Sequence, residues 1–467
     1  MKNKFSIEQG RIGVFLLLIL ACMLTFTLVQ PFGDGPDEIN RFKVVEYIYE
    51  NGTLPRGDAP EVILDGYGGS YAFQPMLTYI IDGYLLRCFS ALNPSLEMRV
   101  LVSRLINVFL GCITALYVKK ISDMLFSNKK TAWMFTLAVV FLPQNLFIHT
   151  YVNTDSMGLL SIALIVYALL CGLRDDFSNQ TCIRLAIGVI LCALSYYNCY
   201  GIILCAVLFF TFYFFKGLRS TGKADSRTDT SLYDYRSCLK KGVFISVIVL
   251  VSIAWWFIRN AILYDGDFLA LNARSLCAAQ TGLEAYNPYT RDTYQRLGIP
   301  LMQMVFETDY FTLVWKSFIA MFGPMQIPTH HYIYMAFRDL FFAAVIGLLI
   351  PMKTSLLTWA KRSQKWLLHV TMLVAMIIPV ILALYYSYTF DFQPQGRYYL
   401  PMVIPFMYFL TLGMEKLICL LSFLAGKIHI KAAAWTGTIL YHLLYAFLTA
   451  SLLYSTFISM LGYYRHS

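Results

Sequence analysis

Three carboxylates and a guanidinium crowd into one short stretch, Pro31-Phe32-Gly33-Asp34-Gly35-Pro36-Asp37-Glu38-Ile39-Asn40-Arg41-Phe42. A carboxylate with restricted solvation gains basicity and can take a proton from a hydroxyl. Asp37 and Glu38 are adjacent, so their side chains diverge on a helix or a strand and the two cannot share one task. One is expected to face a reaction and the other to hold the loop, and the sequence leaves the choice open. Asp34 reads as a solvated loop residue or a helix cap.

Other polar residues return to the same neighbourhood from distant parts of the chain. Asp155, in YVNTDSMG (151–158), opens an apolar run, where it either favours a helix N-terminus through the dipole or orients an arginine or an acceptor. Asn153 precedes it as a further candidate contact. Arg259 ends WWFIRN (255–260) and Arg397 lies in FQPQGRYYLP (392–401). A guanidinium fork at headgroup level suits a lipid phosphate without a metal, and ordinary interfacial anchoring is the plainer alternative. Arg41, Gln74 ahead of Pro75, and Tyr398 complete the set of candidate substrate contacts.

The elements that must position these residues are membrane helices. A chain of 467 residues that is 58% hydrophobic and 14% charged, with a mean hydropathy of +0.59, is too apolar for a soluble globular protein. Apolar runs long enough to be read as spans fall at 12–29, 100–118, 131–149, 155–173, 183–197, 199–215, 242–258, 337–351, 366–388, 399–420 and 433–459. The first follows Lys2, Lys4 and Arg11 as a signal peptide would, but without an A-x-A-like site, and is expected to be retained. The expected fold is an all-α polytopic bundle of about 11 transmembrane helices over residues 1–467. A β-barrel would need short alternating strands.

Charge gives the orientation. With the N-terminus in the cytoplasm, Lys and Arg fall 23 inside and 14 outside, and carboxylates 8 inside and 19 outside. The net charge of +10 is then topological and asks for no nucleic acid; the basic Lys216–Lys241 run reads as a loop facing solvent and the bilayer headgroups. The two large segments, 30–98 with amphipathic helices and 259–335, both lie outside the cell membrane, and the active site is expected on that face. Within the first, Asn40–Tyr49 places Phe42, Val45 and Ile48 on one helical face. Cys88 and Cys277 are the cysteines expected there, close enough in compartment to pair. No residues have metal-ligand spacing; no cofactor is expected, and a divalent metal is compatible with the chemistry but not indicated.

GPDEINRF after the first span, FQPMLTYII (73–81), NTDSMGLLSIAL (153–164), WWFIRNAILYDGD (255–267), SFIAMFG (317–323) and QGRYYLP (395–401) occur in an order that resembles the family of bacterial membrane proteins called domain of unknown function 2142, within the GT-C glycosyltransferase superfamily. The resemblance covers about residues 10–420. It implies a GT-C-like bundle with two larger outer-face loops. It also implies transfer of a sugar from a polyprenyl-phosphate donor to a hydroxyl of an envelope glycan or lipid, as protein O-mannosyltransferases and the aminoarabinose transferase of lipid A do. The general base of such enzymes, an acid in the first outer loop, corresponds to Asp37 or Glu38. Three features depart from the family pattern: Gly35 replaces a proline, Arg41 stands where histidine is usual, and SYYNCYGI (195–202) lacks the basic residue often found between the fifth and sixth helices.

The residues suit that reaction. A carboxylate can take the acceptor proton, and Arg397 or Arg259 can meet the charge on the departing lipid phosphate. A transporter or flippase for envelope precursors is the rival, but it would keep ionisable groups near the bilayer midplane, whereas here they cluster at outer helix ends. A non-catalytic scaffold for envelope assembly is the third reading.

Overall fold

The computed structural model describes residues 2–219 and 233–466. Much of the basic loop expected between Lys216 and Lys241 therefore lies outside the described residues. The chain starts with α1 (Lys2–Val29) and turns through Pro31–Pro36 into α2 (Glu38–Asn51), which buries Phe42, Val44, Val45 and Ile48. The expected amphipathic element is thus present, because its apolar side chains recur at helical spacing. The bundle continues with α3 (Leu77–Cys88), α4 (Leu96–Leu125), α5 (Lys129–Val140), α6 (Pro143–Phe147), α7 (Asp155–Asp175), α8 (Asn179–Ala193) and α9 (Gly201–Tyr213). After α10 (Tyr235–Leu263) come α11 (Leu271–Thr281), α12 (Leu301–Phe306) and α13 (Tyr310–Ile319), then an antiparallel pair of two-residue strands, β1 (Met321–Phe322) and β2 (Ile327–Pro328). The last helices are α14 (His331–Leu348), α15 (Arg362–Thr389), α16 (Val403–Ile428), α17 (Ile430–Leu453) and α18 (Leu461–His466).

Eight helices among the described residues are long and apolar enough to cross a membrane. The eleven expected spans are reduced by local chemistry. The 131–149 run breaks at Pro143, which has no N–H to continue the ladder of α5 and instead opens the one-turn helix α6. The 183–215 region breaks at the 3-10 turn Tyr197–Cys199, leaving α8 with 15 residues and α9 with 13. Both are apolar, but each is shorter than the about 20 residues that a hydrocarbon core of about 30 Å requires.

α7 forms the centre of the bundle, buried along nearly its whole length against α4 and α8, while α10 exposes most of its apolar surface, as a lipid-facing helix does. The two large connecting segments interlock on one face. Gly57 N–H donates to Tyr264 Oη at 2.7 Å, Gly69 N–H to Thr281 Oγ1 at 3.2 Å, and Leu283 N–H to Gly66 O at 2.8 Å. The glycine-rich turn of the first segment is therefore docked on α11 of the second. Cys88 and Cys277 do not pair: Cys88 is exposed at the end of α3, and Cys277 is buried with Phe73 and Tyr264. At the other end of the bundle, Lys119 reaches Asp123 at 2.6 Å and Glu8 at 3.5 Å. Buried Glu415 of α16 accepts from Thr131 Oγ1 at 2.8 Å and Ser355 N–H at 3.1 Å, so it serves two connections between helices.

Candidate active site

Glu38 begins α2 with no side-chain exposure. Its Oε1 accepts from Arg104 Nε at 2.7 Å and Val152 N–H at 3.1 Å; its Oε2 accepts from Arg104 Nη2 at 2.6 Å and Gly33 N–H at 3.1 Å. Arg104 spends its remaining N–H groups on the carbonyls of Thr27 and Gln30, at 2.8 and 2.7 Å, and of Pro31 at 3.0 Å. A guanidinium offers five donors, and all five are engaged here. This pair ties the end of α1, the start of α2 and the segment before α7 to α4. Both oxygens of Glu38 are occupied and dry.

Asp37, one residue earlier, is in a different situation. It precedes α2 in the left-handed backbone region, at φ 62° and ψ 13°, and its side chain keeps 35% exposure. Arg397 Nη2 donates to Asp37 Oδ2 at 2.7 Å, and Arg41 Nη2 approaches the same oxygen at 3.8 Å. Burial would raise this carboxyl, but the charges of Arg397 and Arg41, with hydrogen bonds from Arg397 and Tyr71, outweigh it and hold it at about 2. Arg41 Nη1 donates to Asp155 Oδ2 at 2.8 Å, and its guanidinium lies over the Tyr71 ring at 5.1 Å. Two arginines, each at most 5% exposed, and two carboxylates thus form one chain: Asp155, Arg41, Asp37, Arg397.

Two glycines make this approach possible. A side chain at Gly35 would meet the Tyr151 ring at 2.8 Å, so glycine lets the loop lie against that ring. At Gly396 a Cβ would lie 2.0 Å from Phe318 N, and Gly396 N–H donates to Ser317 Oγ at 2.7 Å. The 3-10 segment Gly396–Met402 is thereby pressed onto α13, and Arg397 is aimed inward. Its guanidinium lies 5.1 Å from the Tyr398 ring centroid, and Nη2 also donates to Tyr398 Oη at 3.2 Å.

Of the other sequence candidates, Asn153 is committed internally. Its amide donates to Ile148 O at 2.7 Å and Tyr151 O at 2.8 Å, and its oxygen accepts from Ser156 N–H at 3.0 Å. Arg259 Nη2 donates to Pro55 O at 2.6 Å and its guanidinium packs on Trp256, so it pins the first large segment to α10. Gln74 is half-buried after the 3-10 turn Tyr71–Phe73. Asp34 accepts from Tyr464 Oη of α18 at 2.8 Å, so it is a tether to the last helix and not a free loop acid.

Three residues were missed by sequence reasoning. Arg104 carried a signal: it is the one charged residue in the 100–118 run, and an arginine inside a span needs a partner. Tyr71, which carries Arg41, carried none. Asp82 of α3 is fully buried, and neither oxygen has a hydrogen-bond partner among the described residues. Burial pushes its carboxyl well above the usual range.

Comparison with solved structures identifies the architecture. The Archaeoglobus fulgidus oligosaccharyltransferase tethered to an acceptor peptide containing the NVT sequon superposes with a TM-score of 0.52 and 14% identity, over 95% of this chain and 55% of that one. The same enzyme in complex with an inhibitory peptide and a dolichol-phosphate gives 0.51 at 14% identity, over 98% and 56%. Its complex with zinc and sulfate gives 0.50 at 16%, over 94% and 53%. The chain spans about half the length of these structures, and the shared feature is the GT-C membrane fold. No curated protein matches the chain. The model for the family described as "Predicted membrane protein (DUF2142)" matches residues 69–407, most of the chain, and the protein therefore belongs to the DUF2142 family of multi-pass membrane proteins.

Proposed function

We propose that this protein is a membrane glycosyltransferase that moves a sugar from a polyprenyl-phosphate donor to a hydroxyl of an envelope glycan or lipid. The observation that supports this reading best is the placement of Asp37. It is a partly exposed carboxylate held by two buried guanidinium groups, on the loop-bearing face of a GT-C bundle. Asp37 takes the acceptor proton as the acceptor oxygen attacks the anomeric carbon. Arg397 meets the negative charge on the departing lipid phosphate, a guanidinium supplying the counter-charge that a metal supplies elsewhere. Arg41 and Asp155 set the orientation of this pair, and Tyr398 lines the side of Arg397. Glu38 takes no part in proton transfer, because both its oxygens are saturated by Arg104 and two backbone N–H groups.

In this reading the N-terminus is cytoplasmic and the large-loop face lies outside the cell membrane, a placement supported by the excess of Lys and Arg on the opposite side. The test is transfer by purified protein supplied with polyprenyl-phosphate sugars and candidate acceptor glycans, wild type against Asp37→Asn. Product from the wild type and about 100-fold or greater loss in the variant is expected for a general base. Undiminished transfer by Asp37→Asn removes the base assignment, and absence of transfer from every lipid donor removes the enzyme reading in favour of transport or scaffolding.

A further inference from the structure

The Asp155–Arg41–Asp37–Arg397 chain is balanced, two cations to two anions, with nothing left over for a substrate phosphate. The balance is uneven in strength. Arg41 is committed to Asp155, which is 5% exposed and held at 2.8 Å. Among the described residues Arg397 has only Asp37 as an ionic partner; its other acceptors are neutral and longer, Tyr398 Oη at 3.2 Å and Pro36 O at 3.5 Å. Arg397 Nε and Arg41 Nε are both buried without a hydrogen-bond partner among the described residues. A buried guanidinium N–H left unpaired is costly, so these groups still seek an oxyanion.

The two members of the Asp37–Arg397 pair also differ in freedom. Arg397 is fixed by Gly396 against α13 and by the Tyr398 ring. Asp37 sits in the left-handed backbone region, keeps a path to solvent, and makes no side-chain cap to α2. When the pair parts, the carboxylate is the member that moves.

Resting on the glycosyltransferase reading, we infer that Asp37 is a resident competitor for the phosphate of the lipid donor: the donor phosphate displaces the Asp37 carboxylate from Arg397, and only then is Asp37 free to face the acceptor. The geometry makes the two events one. While Arg397 holds Asp37, the carboxylate is too well stabilised as an anion to draw a proton from a hydroxyl. The phosphate that takes Arg397 frees it. Binding is therefore ordered, donor before acceptor, and the base is not deployed in the absence of a leaving group.

The experiment measures binding of a polyprenyl monophosphate to the full-length protein in nanodiscs, comparing wild type, Asp37→Asn and Arg397→Gln, with inorganic phosphate as a second probe. Removing the competing charge in Asp37→Asn should tighten the lipid phosphate by about tenfold or more, within the range of a site-to-site coupling, while Arg397→Gln should weaken it by a similar factor. Inorganic phosphate should follow the same order if the phosphate group alone is recognised, and the isoprenoid chain adds affinity only for the lipid probe. Equal or weaker binding of the lipid by Asp37→Asn that is folded and monodisperse at the assay temperature overturns the competition while leaving the enzyme reading in place. If neither wild type nor Asp37→Asn binds the lipid phosphate, the donor assignment falls as well.

Discussion

Arg397 Nη2 lies 2.7 Å from Asp37 Oδ2, although 360 residues separate the two in sequence. The contact joins the loop after α1 to the 3-10 segment before α16, and it distinguishes Asp37 from its neighbour. Glu38, paired with Arg104, stabilises the fold, whereas Asp37 remains reachable from solvent.

The two acids should therefore separate by experiment. Glu38→Gln and Arg104→Ala each leave a buried charge without its partner, which costs about 3–5 kcal/mol. Both are expected to lower the unfolding temperature in detergent and the yield of folded protein. Asp37→Asn should lower the unfolding temperature less than either, because Asp37 keeps 35% exposure, although it leaves the buried Arg397 without its carboxylate.

Asp82 makes stability depend on pH in a predictable direction. Its carboxyl is raised in the folded protein, so the folded state holds a proton that the unfolded chain releases near pH 3.9. This contribution is greatest below that value and declines as pH rises toward the folded-state value. Asp82→Asn should flatten this decline in unfolding measured from pH 4 to 8, and should gain on wild type at the upper end.

Asp37 has the opposite sign. Its carboxyl is held at about 2, so the stabilisation from Arg397 and Arg41 is fully present above the unfolded value of about 3.9 and is lost as pH falls toward 2. An acid-unfolding curve of Asp37→Asn should lack this component, seen as a smaller loss between pH 4 and pH 2 than in wild type.

Gly396→Ala should act on function through position. The added Cβ would lie 2.0 Å from Phe318 N, so the 396–402 segment must lift from α13 and carry Arg397 with it. Lipid-phosphate binding and transfer should both fall by about tenfold or more, with the larger share in whichever step Arg397 serves.

Cysteine chemistry tests the orientation. Cys88 is exposed on the large-loop face and Cys277 is buried. In variants keeping one of the two, a membrane-impermeant maleimide should label Cys88 in intact cells and leave Cys277 unlabelled until the protein is denatured. Labelling of Cys88 only after the cells are opened would invert the topology.

Much of the architecture was written locally. Hydropathy marks each apolar helix, and the amphipathic spacing of Phe42, Val45 and Ile48 marks α2, because burial of a helix face repeats every three or four residues. The order of short motifs pointed to the family and to Asp37, Asp155 and Arg397 as a group. Eleven apolar runs correspond to eight helices of spanning length among the described residues, since an apolar run does not reveal that Pro143 or the Tyr197 turn interrupts its hydrogen bonds.

The surroundings of each member of the group were decided only by the tertiary structure. Asp37 and Glu38 are indistinguishable as neighbouring acids; what separates them is that Arg104, 66 residues away, saturates one, while Arg397, 360 residues away, grips the other on its solvent side. Asn153 and Arg259 looked like substrate contacts by type, and the fold uses both on nearby backbone carbonyls. Hydropathy is a property of a segment, readable one window at a time. An ion pair's strength and purpose depend on which distant groups share its desolvated space, and helix packing alone sets that.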